Sequence, residues 1–333
     1  MFIIAEIAQA HDGSLGILHS YIDALAKAGV DAIKFQTHIA EAESSEYEPF
    51  RVNFSYEDKT RYDYWTRMSF SLDQWKGVKA HCDEAGIEFM SSPFSNTAVD
   101  LLEEVGVKRY KIGSGEVTNL LMLEKIAKTG KPVILSSGMS SFTELDKSVV
   151  FLKERKIETS ILQCTTAYPT KPEEWGLEVM DELRERYGRS TGFSDHSGEV
   201  YACLAAAARG AEILEFHAVF DKRMFGPDAV ASMDIDEITF MVKGARQICD
   251  SLKVKINKDD NAHFSTLKGI FEKSLAVNKD LQAGDILHFE DLEAKKPKGY
   301  GIDAFAYEAL IGKAVKRAMK KWDFIKEEDV SWG

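Results

Sequence analysis

Thr191-Gly-Phe-Ser-Asp-His196 and Ile213-Leu-Glu-Phe-His217 are two strand-like stretches, and each is closed by a histidine. A helix-like segment, Val200 to Ala208, lies between them and is followed by Gly210. A strand–helix–strand unit places its two strands side by side and parallel. Both imidazoles are therefore expected at the same edge of the sheet, where a divalent metal or an anionic substrate would be held. The alternative is that the two histidines make separate hydrogen bonds and share no ligand.

The same alternation of apolar run and helical segment extends from Phe2 to about Leu252. The strand-like runs are Phe2–Ala8, Asp31–Thr37, Ile87–Pro93, Arg109–Gly113, Pro132–Ser136, Thr159–Thr165, Ser190–His196 and Ile213–Val219. Helices are predicted near residues 16–28, 71–85, 96–105, 119–129, 142–155, 177–187, 198–209 and 235–252. Six glycines (Gly29, Gly86, Gly106, Gly130, Gly188 and Gly210) stand where helices should end, and Ser71–Gln74 and Ser141–Glu144 have the capping-box pattern of helix starts.

Eight strand–helix pairs over about 250 residues predict an α/β fold, a (β/α)8 TIM barrel, because both the number and the length match. The runs are apolar throughout, as buried parallel strands require. A doubly wound open sheet is the alternative, but its glycine-rich GxGxxG fingerprint does not occur in the sequence.

Two regions depart from this alternation. Residues 38–69 form a long polar and aromatic segment, which we expect to be an ordered loop over the barrel mouth. Residues 253–272 are largely polar and predict a linker, and residues 273–333 contain short strand-like pieces with tight turns. The predicted organisation is a catalytic barrel over 1–252, the linker, and a small, mainly β domain over 273–333.

Composition excludes some classes of function. The net charge of −12 argues against a general nucleic-acid binder, because phosphate contacts need a basic surface. The four cysteines are far apart and form no CxxC, which is typical of reduced core thiols in a cytoplasmic protein. No apolar run approaches membrane-spanning length, and Phe2-Ile-Ile-Ala already has the character of a strand rather than of a signal peptide.

In a barrel of this kind the active site is built where the strands end and the following loops begin. Lys34 and Lys111 occupy such positions, among hydroxyls and the backbone amides of Gly113, Gly115 and Gly138. Lysines supply point charge and the hydroxyls and amides supply directed bonds, which suits a phosphate-bearing ligand. Paired histidines with nearby carboxylates suit a first-row divalent ion such as Mn²⁺. The alternative for each lysine alone is that its side chain extends to solvent.

Nine short motifs follow one another along the chain at these strand positions. They are Ile4-Ala-Glu-Ile7, Ile33-Lys-Phe-Gln-Thr37, Ser91-Ser-Pro-Phe-Ser95, Tyr110-Lys-Ile-Gly-Ser-Gly-Glu116, Ile134-Leu-Ser-Ser-Gly-Met139, Cys164-Thr with Tyr168-Pro, Phe193-Ser-Asp-His196, Ile213-Leu-Glu with His217, and Gly226-Pro-Asp228. In this order they resemble the sialic acid synthase (N-acetylneuraminate synthase) family. The segment from Asp280-Leu-Gln-Ala-Gly-Asp-Ile-Leu287 through Lys296-Pro297 is similar to the antifreeze-like (SAF) domain that ends these synthases.

The resemblance implies an enzyme that condenses phosphoenolpyruvate with an N-acylated aminosugar to make a nine-carbon 2-keto sugar acid. It implies catalytic roles for Glu6, Glu116 and Tyr168. It implies phosphoenolpyruvate binding by Lys34, Lys111, Ser114, Ser136 and Ser194, and sugar binding by Asn53, Gln36, Thr166, Asp228 and Lys296. It implies a divalent metal on His196 and His217, Mn²⁺ first and Mg²⁺ or Co²⁺ otherwise. It also implies a domain-swapped homodimer in which the small domain covers the partner's barrel, with no nucleic-acid or membrane partner.

Three positions depart from the pattern of that family. Ala10 stands before His11 where an asparagine is usual, Thr166 stands where an asparagine is frequent, and Lys296 aligns with an arginine that reaches the sugar's N-acyl group. Lysine lacks the planar fork of arginine, so the departures concern the sugar and not the phosphoenolpyruvate. The alternative functions are synthesis of another 3-deoxy-2-keto sugar acid, or non-catalytic carbohydrate or ice binding.

Overall fold

The computed structural model describes residues 1–52 and 54–332. The chain divides into two compact units, Met1–Val254 and Lys255–Gly333. Within the described residues, no helix is both long enough and apolar enough to cross a bilayer.

Parallel strands form a nearly closed barrel in the first unit. The eight barrel strands are β1 (Phe2–Ala8), β2 (Ala32–Thr37), β3 (Glu88–Pro93), β4 (Tyr110–Ile112), β5 (Val133–Ser136), β6 (Thr159–Cys164), β7 (Thr191–Asp195) and β8 (Ile213–Ala218), and a short β9 (Ser232–Met233) pairs with β8. The first strand pairs with the last, so the sheet order runs β3-β2-β1-β8-β7-β6-β5-β4. Among the described residues β3 and β4 are the one neighbouring pair without a ladder. The predicted barrel is confirmed, and the open doubly wound sheet is excluded because it would not pair its first strand with its last.

Helices follow the strands, and the predicted bounds agree to within two residues. The helices of the first unit are α1 (Leu15–Ala28), α2 (Ala40–Glu43), α3 (Arg61–Met68), α4 (Leu72–Glu84), α5 (Asn96–Val105), α6 (Leu120–Ala127), α7 (Phe142–Glu154), α8 (Val179–Tyr187), α9 (Val200–Ala208) and α10 (Ile235–Leu252). The capping boxes at Ser71 and Ser141 both form. The six helix-end glycines all take positive φ, where L side chains are strained.

Side chains alternate across each strand, and this alternation layers the barrel interior. Near the amino-terminal ends the inward positions are apolar and form one cluster of Ile4, Ala32, Met90, Ile134, Leu162 and Ile213. Two residues further along the same strands, the inward positions are polar and line a cavity: Glu6, Lys34, Ser92, Ser136, Cys164 and Glu215. The apolar layer therefore forms the floor on which the polar layer stands.

Gly192 of β7 occupies the inward position beside this floor. A Cβ at residue 192 would lie 2.3 Å from the carbonyl oxygen of Ile213, so only glycine allows β7 and β8 to approach this closely. The intervening residues of the strands face outward, where Ile3, Ile33 and Phe35 pack in the cluster between barrel and helices.

The described residues of the 38–69 segment do not form one continuous loop. The segment contains α2 and α3, and α3 begins with a capping box between Thr60 and Asp63. Tyr64, Trp65 and Met68 of α3 pack on Ala40 in a small core of their own. Tyr64 lies four residues and Trp65 three residues before Met68, and these spacings place the three side chains on one apolar helix face. The prediction of a loop was wrong for α2 and α3, because polar residues dominate the segment and hide this short apolar stripe.

The second unit has a separate core and mainly short β pairings. Its elements are α11 (Ser265–Phe271), which lies within the predicted linker, and the antiparallel strands β10 (Ser274–Val277) and β11 (Leu292–Lys295). Isolated bridges such as Leu281–Met319 and Val315–Val330 extend the pairing. Leu287, Leu310 and Ile325 are among the fully buried residues of this core.

Candidate active site

A cavity of about 170 Å³ lies at the carboxyl ends of the barrel strands, and we call it the inner chamber. Most residues predicted from the sequence to form the site line it: Glu6, Lys34, Gln36, Lys111, Ser114, Ser136, Thr166, Tyr168, Ser194, His196 and His217. They come from seven strands or the loops that directly follow them, so the barrel closure is what brings them together.

Glu6 stands at the centre of the charged groups in the inner chamber. It is in register with Lys34 on one side and with His217 on the other. Its Oε2 lies 2.7 Å from Lys34 Nζ and 3.4 Å from His217 Nε2. A second carboxylate, Glu215, has its Oε1 3.1 Å from both Lys34 Nζ and Lys111 Nζ. All four lysine and carboxylate side chains are buried, so each charge depends on the others.

Burial and neighbouring charges shift the pKa values of Glu6, Lys34 and Lys111 by different amounts and in different directions. Burial alone would raise the pKa of Glu6, but Lys34, His217 and Lys111 hold it well below its usual range. Burial would lower the pKa of Lys34, yet Glu215 and Glu6 raise it above its ordinary value. Burial does lower the pKa of Lys111, because Glu215 offsets only part of the cost. Lys111 is thus the cation that an incoming anion would stabilise most.

Serine hydroxyls form hydrogen bonds within the polar layer, but they do not satisfy all of its buried polar atoms. Lys111 Nζ donates to Ser136 Oγ at 2.8 Å, and Ser194 Oγ donates to Glu215 Oε1 at 3.1 Å. In the described part of the chain, the buried Glu215 Oε2 and Ser92 Oγ have no hydrogen-bond partner. Buried polar atoms are rarely left unpaired, so a polar ligand or ordered water is expected here.

The loop after β5 approaches this layer closely. A Cβ on Gly138 would lie 2.4 Å from Ser114 Oγ and 2.5 Å from Thr166 Oγ1. Glycine therefore lets the backbone come within reach of a ligand beside both hydroxyls.

His196 and His217 lie close together, as predicted, because β7 and β8 pair in parallel. Their ring centroids are 5.2 Å apart. His196 Nδ1 lies 2.9 Å from the carbonyl oxygen of Thr165, and its Nε2 lies 3.2 Å from the Tyr168 hydroxyl. Burial would lower the pKa of His196, but Cys164 and the Thr165 carbonyl raise it to about 9. Burial keeps the pKa of His217 below its ordinary value despite Glu6.

This donor set fits a divalent metal with an open coordination sphere. The Thr165 carbonyl accepts from Nδ1–H of His196, so a metal would displace the proton of Nε2 and bind there, an arrangement common in metal sites. The described residues contain no cluster of three His, Cys, Asp or Glu side chains suited to a metal. Two imidazoles near the Glu6 carboxylate would therefore share a metal with water and substrate, as catalytic sites with open positions do.

A larger cavity of about 300 Å³, the outer chamber, adjoins the inner one. Gln36, Thr166, Tyr168 and His217 line both. The outer chamber adds residues of the 38–69 segment and of the loop after β8: Phe50, Arg51, Phe54, Tyr64, Trp65 and Asp228. Arg51 Nη2 lies 2.6 Å from Asp228 Oδ1, and its guanidinium carbon lies 4.0 Å from the Tyr168 ring centroid. The predicted sugar residue Asp228 is therefore already paired with an arginine.

The residues predicted from the sequence are not all found at the two chambers. Glu116 lines neither chamber; it accepts a hydrogen bond from Asn119 Nδ2 at 2.7 Å, and burial raises its pKa. His11, which lies in the loop after β1, is buried beside Phe70, and its Nδ1 accepts from the Gly13 amide. Lys296 belongs to the second unit, where its Nζ lies 5.1 Å from the Phe271 ring centroid. Asn53 lies outside the described residues.

Two members of the site had no predicted role. Glu215 was predicted only as part of a strand motif, although a carboxylate inside an apolar strand is costly unless it is paired, which is a usable signal. Arg51 left no signal in the sequence, because its partners Asp228 and Tyr168 are distant along the chain.

The fold and the site define a (β/α)8-barrel protein whose strand ends hold a buried lysine–carboxylate cluster beside two histidines. The chain belongs to the NeuB family, whose sequence profile matches residues 21–257. It is similar to the N,N'-diacetyllegionaminic acid synthase of Campylobacter jejuni, with 33% identity over 98% of each chain. It is 32% identical to a pseudaminic acid synthase of the same species over 99% of this chain and 96% of that one. The crystal structure of N-acetylneuraminic acid synthetase from Leptospira borgpetersenii, in complex with citrate, superposes with a TM-score of 0.71 at 30% identity, covering 80% of this chain and 90% of that chain.

Proposed function

We propose that this chain is a nonulosonic acid synthase. It condenses phosphoenolpyruvate with an N-acylated hexosamine-type sugar and water to give a nine-carbon 2-keto-3-deoxy sugar acid and phosphate. The observation that carries the proposal is that the inner chamber contains two buried lysines, Lys34 and Lys111, and adjoins a larger outer chamber. An anion and a neutral sugar would thereby meet at the residues shared by both chambers. The names of the relatives support the same reaction class.

The inner chamber is assigned to phosphoenolpyruvate. Lys34 and Lys111 would neutralise its phosphate and carboxylate groups, and the hydroxyls of Ser114, Ser136 and Ser194 would direct hydrogen bonds to them. The positive charges of Lys34 and Lys111 are nearly balanced by the negative charges of Glu6 and Glu215 before any ligand binds. A trianionic ligand therefore needs added positive charge, which favours a bound cation.

The outer chamber is assigned to the sugar. Gln36, Thr166 and Tyr168 would contact its reacting end because they line both chambers. Asp228 and the aromatic side chains of the 38–69 segment would hold the rest of the ring, with hydroxyls on the carboxylate and apolar faces on the aromatics.

The reaction forms one carbon–carbon bond and breaks one carbon–oxygen bond. C3 of phosphoenolpyruvate attacks the aldehyde carbon of the open-chain sugar, and the aldehyde oxygen takes up a proton. Water adds at C2, and phosphate leaves with the bridging oxygen. Positive charge develops at C2 on the way, and Glu6, held ionised by Lys34, would stabilise it. Glu116 was predicted for the same role, but Glu6 is the one of these two carboxylates that lines the inner chamber.

His196 and His217 would hold the divalent metal, Mn²⁺ first and Mg²⁺ or Co²⁺ otherwise, which when bound supplies Lewis-acid polarisation of the aldehyde oxygen. Tyr168 stacks on His196 with ring centroids 4.2 Å apart and keeps that imidazole directed at the chamber.

We include in this proposal that the second unit is an antifreeze-like (SAF) domain. Its basic segment Lys295-Lys-Pro-Lys298 would close over the sugar of a partner subunit in a cytoplasmic, domain-swapped homodimer. Lys296 would then contact the acyl group of the sugar.

Phosphate release from phosphoenolpyruvate tests the function. The purified chain is assayed with N-acetylmannosamine, a 2,4-diacetamido-trideoxyhexose and simple aldose phosphates, with and without Mn²⁺. We expect release with an N-acylated sugar, loss on chelation, and transfer of ¹⁸O from the bridging position into phosphate, as C–O cleavage requires. Release only with aldose phosphates would favour another 3-deoxy sugar acid, and no release with any acceptor would favour a binding protein.

A further inference from the structure

We infer that His38 is a positioning residue of this site, whose Nε2–H orients the Gln36 carboxamide so that Gln36 donates to Glu6. His38 directly follows β2, and among the described residues no hydrogen bond joins it to Lys34 or Lys111. Its ring nitrogens instead join the inner chamber to the 38–69 segment through two short side-chain contacts.

The direction of each hydrogen bond follows from Glu6. Lys34 Nζ lies 2.7 Å from Glu6 Oε2, so the Glu6 carboxylate is ionised and only accepts. Gln36 lies 2.7 Å from Glu6 Oε1 and must therefore present its Nε2 to Glu6. Its Oε1 then faces the opposite side and needs a donor.

His38 is the best-placed donor for Gln36 Oε1. Its Nε2 lies 3.1 Å away, whereas the amide of Gln9 lies 3.4 Å away. The Nε2 of His38 must carry a hydrogen, because two acceptors would otherwise face each other. If this donor were lost, the Gln36 amide could turn its oxygen toward Glu6 and repel it.

The imidazole of His38 is held rigidly from three sides. Its ring lies between Trp65 and Phe94, with centroid distances of 3.6 Å and 4.2 Å and interplanar angles of 12° and 13°. By the same argument its Nδ1 donates to Glu43 Oε1 at 2.5 Å, and Glu43 Oε2 accepts from the Ile39 amide at 3.3 Å. A ring fixed in this way can impose one orientation on a flexible carboxamide.

The consequence is a physical link between the 38–69 segment and the reacting groups. Glu43 belongs to α2 and Trp65 belongs to α3, and both hold His38. The chain Glu43–His38–Gln36–Glu6–Lys34 therefore makes the geometry of Glu6 depend on the folded state of that segment.

Two substitutions separate this role from simple packing. In His38→Gln the side-chain amide nitrogen reaches the place of imidazole Nε2, and in His38→Asn it reaches only the place of Nδ1. Both variants remove the aromatic stacking equally, so each is the control of the other. We expect His38→Gln to keep kcat within about 3-fold of wild type. We expect His38→Asn to lose about 10- to 100-fold, the range for small misplacement of reacting groups, at equal melting temperature.

A double variant and crystal structures of the single variants test whether His38 acts through Gln36. The Gln36→Ala and His38→Asn double variant should lose no more activity than Gln36→Ala alone, because His38 acts through Gln36. Crystal structures should show Gln36 within hydrogen-bond distance of Glu6 in His38→Gln and displaced in His38→Asn. Equal losses in the two single variants, additive losses in the double variant, or a rise in only the sugar KM would overturn it. The activity arm rests on the proposed function. Inactive wild-type protein would count against that function, while the crystal structures would still decide the positioning role.

Discussion

At the residue scale, the decisive feature is that one carboxylate, Glu6, has lysine and histidine neighbours fixed by strand register. Register, rather than side-chain flexibility, sets the distances of 2.7 Å to Lys34 and 3.4 Å to His217. Buried charges of this kind stabilise little by themselves, because desolvation offsets much of their attraction. The anion that the proposed function assigns to the inner chamber would explain why these charges are buried together.

Lys111→Met is expected to raise the KM for phosphoenolpyruvate by about 10- to 100-fold with a smaller effect on kcat, because it removes an anion contact made in ground and transition states alike. Methionine has nearly the volume of lysine, and Lys34 still balances the charge of Glu215.

Lys34→Ala should raise the KM for phosphoenolpyruvate as well but also destabilise the barrel, since it leaves Glu6 without its closest cation. Lys128→Ala, on an exposed helix end, serves as the control. Unchanged KM in both site variants would contradict the assignment.

His11→Asn tests a pH dependence of stability. Burial, with His38 and Arg67 nearby, lowers the pKa of His11 to about 4 in the folded chain. Unfolded histidine protonates near its ordinary pKa of 6.5, so the unfolded state gains protons first as the pH falls from 6.5 to 4. This group should therefore remove about 3 kcal/mol of stability over that window and nothing above it.

Asparagine at 11 can still accept from the Gly13 amide through its Oδ1. Urea unfolding at several pH values should show a shallower loss of stability for His11→Asn than for wild type. Identical slopes would mean that His11 protonates in the folded chain.

At the element scale, the alternation of inward and outward side chains turns each barrel strand into a floor residue followed by a site residue. Ile4 precedes Glu6, and Ala32 precedes Lys34, in the same way. The 38–69 segment lines the outer chamber with residues of α3 and of the loop that precedes this helix. On the proposed function, the strand ends would bind the anion, and the inserted 38–69 segment would complete the binding site for the sugar.

Gly192→Ala should destabilise the barrel by several kcal/mol, because its Cβ would meet the Ile213 carbonyl oxygen at 2.3 Å and backbone cannot yield cheaply. Gly77→Ala is the matched control within α4, where no atom lies within 4 Å of the added methyl. That change should stabilise the protein by about 1 kcal/mol through helix propensity. Thermal or urea unfolding measures both. A mild effect of Gly192→Ala would show that β7 and β8 can separate.

Arg51→Ala is expected to raise the KM for the sugar by about 10-fold while leaving the KM for phosphoenolpyruvate unchanged. The substitution removes the guanidinium that lies on Tyr168 and leaves Asp228 without its partner in the outer chamber. Arg223→Ala, an exposed arginine paired only with Asp221, controls for the loss of charge. A rise in the KM for phosphoenolpyruvate instead would place Arg51 at the inner chamber.

At the scale of the whole molecule, an acidic protein concentrates buried positive charge at one end of its barrel. The net charge is −12, yet both fully buried lysines lie in the inner chamber. The acidic surface would discourage nonspecific binding of anions, while the local lysines would bind one small anionic ligand.

Mixing two inactive variants tests the proposed sharing of sites between subunits. Lys296→Ala should impair use of the sugar and spare phosphoenolpyruvate binding, and His217→Ala should impair the metal site. If the second unit completes the partner's barrel, hybrid dimers contain one site with neither defect and recover part of the activity. No recovery after demonstrated subunit exchange would restrict Lys296 to its own subunit or remove it from the site.

The sequence by itself determined the barrel, because periodicity, helix caps and terminal glycines are local signals that survive without tertiary contacts. It also determined which strand ends carry lysine, serine and histidine, and parallel strands must bring such ends together. Only the tertiary structure decided that Glu215 is shared by two lysines, that Arg51 pairs with Asp228, and that His38 acts on Gln36. These contacts depend on rotamers and on packing between distant segments, and no local pattern encodes either of them.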